Sequence, residues 1–230
     1  MSPNYSLDKI KFGVDASTFQ KALDLYENGK VQDFKEGIRS YSATVIGSRP
    51  YRVFVEARRY DYGHCECYLG ENDTLCKHMV AVALWAIKKG QPLESEDKHL
   101  VTEVVCSGKL GELNAKELKD TKKEITSAMR YIKPYTGPSR LWFSYQASLA
   151  EGCSRLTKIV SELPVSEQTA RLLVNMLLRL DKKLGYGGVD DSDGTVGGFI
   201  AEVVEVLQKY EKLDASVKKA FKILKNKEFD

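Results

Sequence analysis

The chain has 230 residues, 43% hydrophobic and 29% charged, with a formal net charge of +3. That composition describes an ordinary globular protein able to bury a core, and its bulk charge does not by itself imply a polyanion partner. No apolar run approaches the ~20 residues of a membrane helix. The start Met1-Ser2-Pro3-Asn4-Tyr5 lacks the pattern of a secretory signal, so the five cysteines are expected in a reducing, cytoplasmic setting that favours metal over disulfides.

In chain order, Ser17 reads as an N-cap. Phe19, Ala22, Leu23 and Tyr26 then recur at helical spacing until Gly29. Period-two alternation follows in Tyr41–Val45 and Arg52–Arg58, joined through Gly47-Ser48-Arg49-Pro50 as a hairpin. On the second strand Val53, Val55 and Ala57 should face inward, with Arg52, Phe54, Glu56 and Arg58 outward. Residues Cys76–Lys89 read as a helix with an apolar stripe of Val80, Ala83, Leu84 and Ile87, ended by Gly90 and Pro92. Residues 91–110 read as a linker. Beyond it the pattern is helical: Asn114–Ile132, Ser139–Ser161, Ser166–Leu184, Val196–Tyr210 and Ala215–Lys225, with breaks at Pro134, Pro138 and Pro164. The expected fold class is α+β: a helix–β-hairpin–knuckle–helix domain over residues 1–90, then an all-helical domain over 111–230.

The chemistry concentrates in Cys65-Glu66-Cys67 and, eight residues on, Cys76-Lys77-His78. Three thiolates and one imidazole form a closed tetrahedral set for Zn²⁺. Cys76 at the start of a helix gains from the helix dipole, which lowers the cost of its thiolate. His64 is the competing imidazole, but in extended backbone it points away from Cys65. Cys106 and Cys153 fall outside the cluster and read as small buried hydrophobes. With four protein ligands the metal has no open position for water. The remaining histidines, His64 and His99, have no nucleophile with a recognisable local signature, so no catalytic residue is expected. The run Asp190-Asp191-Ser192-Asp193-Gly194 fails as an EF-hand loop, because Val189 and Ile200 would occupy ligand positions one and twelve. It reads better as the cap of the following helix.

The Cys65-x-Cys67 and Cys76-x-His78 pairs, followed by an apolar helix containing Ala81 and Leu84, resemble the SWIM zinc-finger family. Tyr26, Gly29 and Val31 match that family's upstream Tyr-x-x-Gly-x-Val pattern, so the resemblance covers residues 16–89. Tyr68 departs from it, standing where relatives often have a small residue or proline. The helical C-terminal half is similar to the tails of stand-alone prokaryotic SWIM proteins. The resemblance implies a structural zinc ion and a module that binds DNA or protein. Such modules accompany helicase-type ATPases, transposases and partners of recombinases, and this chain carries no phosphate-binding Gly-x-x-x-x-Gly-Lys-Ser/Thr loop.

Between Tyr41 and Tyr68, arginines interleave with aromatics. Arg49, Arg52, Arg58, Arg59 and Lys77 are the candidate nucleic-acid contacts, with Phe54 available to stack on bases. Residues 1–90 hold thirteen Lys/Arg against eleven Asp/Glu, which favours local contacts over a basic groove. The alternative is a protein-interaction subunit that docks onto a DNA-processing ATPase or recombinase without touching nucleic acid.

Overall fold

A computed structural model describes residues 2–98, 100–138 and 142–225. Its described residues form a mixed α+β chain with ten α-helices and one four-stranded antiparallel sheet. It divides into two compact units, Met1–Leu100 and Val101–Asp230. Among the described residues no helix is long and apolar enough to cross a membrane.

The first unit opens with α1 (Leu7–Gly13) and α2 (Ala16–Glu27). The cap of α2 is Asp15, not Ser17: its carboxylate accepts the Thr18 N–H at 2.9 Å. Four strands follow, β1 (Val31–Gly37), β2 (Ser40–Ile46), β3 (Pro50–Glu56) and β4 (Gly63–Cys65), in the order β1-β2-β3-β4. The expected two-strand hairpin is therefore the centre of a larger sheet. Its register pairs Ala43 with Val53 and Tyr41 with Val55, and β4 adds Cys65 opposite Val53. Those residues share the buried face.

After the short α3 (Tyr68–Glu71), helix α4 (Lys77–Lys88) crosses that face and also packs on α2. Covering from two sides explains why its burial extends past the expected stripe to the whole run Met79–Leu84. Phe34 of β1 lies between Trp85 and Tyr41, with ring centroids 4.8 and 5.7 Å away. Part of the stretch read as linker joins this unit: Leu93 is buried, and within α5 (Ser95–Lys98) Asp97 bonds Lys88 at 2.6 Å while Lys98 pairs with Glu27.

The second unit is built on α6 (Ala115–Ala128), α7 (Trp142–Glu162), α8 (Glu167–Gly185), α9 (Thr195–Leu213) and α10 (Lys218–Lys225), with a 3₁₀ turn at Ala215–Val217 before the last. The start expected at Ser139 falls outside the described residues. Helix α6 begins with a capping box, in which Asn114 accepts the Glu117 N–H and Glu117 accepts the Asn114 N–H. It stops short of Ile132 because Arg130 and Tyr131 turn back onto Ser127 and Ala128. Leu149, Leu156, Leu173, Val203 and Tyr210 form the fully buried centre.

The acidic run at 190–193 caps α9, as its sequence suggests. Gly194 offers no capping side chain, and the Asp191 carboxylate accepts the Val196 and Gly197 N–H groups, both at 2.8 Å. Replacing Asp191 with Ala leaves those donors to water, so stability should fall by about 1–2 kcal/mol, read from the urea midpoint. An unchanged midpoint would show that the cap contributes nothing.

Candidate metal centre

Three elements deliver the four candidate ligands. Cys65 ends β4, Cys67 is the N-cap of α3, and Cys76 is the N-cap of α4, with His78 in that helix's first turn. All four are buried, and their ligand atoms lie within 4.8 Å of one another. His78 Nδ1 is 3.6 Å from Cys65 Sγ and 3.8 Å from Cys76 Sγ. A tetrahedral zinc with Zn–S near 2.3 Å and Zn–N near 2.0 Å separates sulfur from nitrogen by about 3.5 Å. The cluster therefore has the donor set and spacing of a metal site, and the residues fit zinc.

Local backbone aims these atoms. Cys76 makes no capping hydrogen bond with its side chain, so its sulfur is turned into the cluster. The Gly70 N–H points at Cys67 Sγ at 3.4 Å, a donor suited to a thiolate. A hydrogen bond from Cys65 holds the Cys76 thiol below its ordinary range, helped by His78 and the Met79 N–H, while that sharing pushes Cys65 up. His78 leans on the Tyr51 ring, centroids 4.6 Å apart, and its Nε2 is buried with no hydrogen-bond partner among the described residues. Nδ1 is the nitrogen turned toward the sulfurs, and so the candidate metal ligand. The rival His64 sits on the exposed outer face of β4, opposite Phe54 in register. His99 lies outside the described residues. Cys153 is buried and its thiol is pushed up to about 12 by that burial, whereas Cys106 is only half-buried.

The candidate nucleic-acid residues divide into separate groups. Arg49 and Arg52 converge on Glu66, the residue between the first two cysteines. Arg49 Nη2 donates to the Glu66 carbonyl at 3.1 Å, and Arg52 bonds its carboxylate through Nε at 2.6 Å and the backbone N–H at 3.0 Å. Arg52 holds the Glu66 carboxyl below the usual range. Arg59 belongs to the turn after β3, where it pairs with Asp61 at 2.6 Å and stacks on Tyr62 at 5.3 Å. Arg58 is exposed, and Lys77 is half-buried at the first position of α4. Phe54 is 42% exposed on the outer sheet face. Sequence reasoning passed over Glu66 as a structural anchor, although its place inside the Cys-x-Cys pair marks it as unable to avoid the site.

No protein-family model matches the chain, and comparison with curated proteins and with solved structures returned no match.

Proposed function

We propose that the chain is a SWIM-type zinc-binding recognition module whose first unit contacts nucleic acid, DNA foremost, in DNA processing or transcription. The observation that carries the zinc half of this reading is the buried Cys65-Cys67-Cys76-His78 cluster. Zinc held by Cys65, Cys67, Cys76 and His78 would tie the end of β4 to the start of α4, and a closed set of four ligands supports a structural rather than a catalytic role. The nucleic-acid half is supported by the outer sheet face. There Arg52 stands beside the partly exposed Phe54, and the adjoining turn after β3 adds the exposed Arg58 and Arg59, the latter over Tyr62, a mixture suited to phosphates and base stacking.

The test is fluorescence anisotropy of zinc-loaded protein against labelled single- and double-stranded DNA, with an Arg52/Arg58/Arg59→Ala variant beside it. Affinity should fall with salt and drop at least about fivefold in the variant, since each lost phosphate contact also flattens the salt dependence. Equal binding by variant and wild type would remove the outer face from the reading.

A second reading is docking onto a DNA-processing ATPase or recombinase. It is favoured by the ion pairs that already engage Arg52 and Arg59, and by Tyr68 and Leu69, which are exposed on the knuckle. Absence of nucleic-acid binding even at low salt would select it.

A further inference from the structure

Helix α6 carries most of its charges in two rows, with Lys116 lying among the acidic one. Lys119, Lys122 and Lys123, with Thr126 and then Arg130 just past the helix end, follow the spacing i, i+3, i+4, i+7, i+11, which is one face. They line a groove of about 610 Å³ whose apolar floor includes Leu118 and whose lining contains no carboxylate. Glu117, Asp120 and Glu124 lie on the other side, facing a different depression shared with Glu162 of α7. Arg179 of α8 reaches the basic side, with Nη1 3.4 Å from Thr126 Oγ1. Lys183 is close enough to Arg179 to feel it, although burial is the larger cause of its lowered pKa.

This arrangement works against the helix that carries it. A solvated helix gains from opposite charges at i, i+4 and loses from like ones. Here Lys119 and Lys123 are i, i+4 neighbours, and so are Asp120 and Glu124. Lys123 has a single carboxylate partner, Asp120 at 3.3 Å, while Lys119, Lys122 and Arg130 pair with none among the described residues. The row from Lys119 to Arg130 runs for about 16 Å, the axial length of about five phosphates on one strand of a duplex. A concave, linear row of cations on an apolar floor fits a phosphodiester backbone, and the groove has no exposed large apolar side chain with which to enter a bilayer.

We propose that the basic groove of α6, completed by Arg179 of α8, is a nucleic-acid phosphate-binding site of the second unit. It involves none of the residues invoked for the first unit.

The test is anisotropy with full-length, zinc-loaded protein and labelled 20-mer DNA, as duplex and as single strand, between 50 and 200 mM salt. Two variants come from different elements: Lys119/Lys122/Lys123→Gln, and Arg130/Arg179→Gln. Each is checked for folding by circular dichroism; the first relieves the Lys119–Lys123 like-charge contact and gives up the exposed Lys123–Asp120 pair, so it should melt close to wild type. Expected is an affinity loss of about tenfold or more at low salt in the lysine variant, with a salt slope shallower by about two to three. The arginine variant should show a smaller loss in the same direction. If both folded variants bind as wild type while the Arg52/Arg58/Arg59→Ala variant weakens, the groove proposal falls and the first-unit reading stands. If wild-type protein binds neither DNA, or binds only phosphatidylserine vesicles, the groove proposal also falls.

Discussion

Replacing Cys76 with Ser is expected to abolish stoichiometric zinc binding and to remove most of the stability of the first unit. Cys76 is buried at the N-cap of α4, and its sulfur meets both Cys65 and His78 Nδ1. A serine hydroxyl is a poor zinc ligand, and it leaves two thiolates and an imidazole crowded without the cation that offsets them. Structural zinc supplies about 10 kcal/mol or more of folding free energy in zinc-finger peptides, as much as a whole domain's net stability. This unit also has an apolar core running from Ile10 to Leu93, so a destabilised fold is expected rather than a random chain. The transition of this unit should fall by more than about 20 °C, since each kcal/mol is worth about 4–8 °C in a domain of this size. A zinc chelator on the wild type should produce the same shift. Acid should release the metal too, because protons compete for three thiolates and affinity therefore falls with pH. One zinc per chain in the serine variant, or an unmoved transition after chelation, would show that these four residues do not form a closed structural site.

The candidate ligand cluster was legible because its information is local: the two close pairs lie within fourteen residues, at the start of the helix they precede. The same holds for α2, whose Phe19, Ala22, Leu23 and Tyr26 stripe is the buried one. Strands β1 and β4 were not legible, for different reasons. In β1 the register shifts between Gln32 and Lys35, with Asp33 at a φ of 51°, so inward Val31 and Phe34 are three apart and the period of two is broken. Strand β4 is three residues, Gly63-His64-Cys65, too short to carry any period; only its pairing with Val53–Val55 makes it a strand. The fate of Arg52 was hidden in the same way. Its partner Glu66 is fourteen residues away, and only the β3–β4 pairing brings the two together. The spacing of Lys119, Lys122 and Lys123 was in plain view, but the groove they line, which no carboxylate enters, is seen only in the folded unit.

The second large effect is expected from Gly70→Ala, a change that touches no ligand and adds one methyl group. A Cβ at Gly70 would lie 2.4 Å from the Cys65 carbonyl oxygen and 2.5 Å from Cys65 Cβ, with Cys65 Cα at 2.8 Å. These are backbone atoms and the root of a candidate ligand, so no flexible side chain can swing aside. Helix α3 must lift away from β4, and it carries its N-cap Cys67 away from Cys65. One close contact thus disturbs two candidate ligands. We expect a loss of about 3 kcal/mol or more, at the upper end for overpacking. Zinc affinity should fall about tenfold or more, as when an outer partner of a metal ligand is lost. Gly29→Ala provides the contrast. Gly29 has a φ of +63°, which a side chain tolerates poorly, yet its Cβ would meet nothing within 4 Å. That change should cost about 1 kcal/mol and leave zinc affinity untouched. Backbone angle alone ranks Gly29 as the more sensitive glycine, whereas proximity to Cys65 ranks Gly70 far above it. Urea midpoints and zinc competition titrations on both variants decide the order. A Gly70→Ala protein that binds zinc like wild type and unfolds within about 1 kcal/mol of it would mean that α3 does not press on the knuckle.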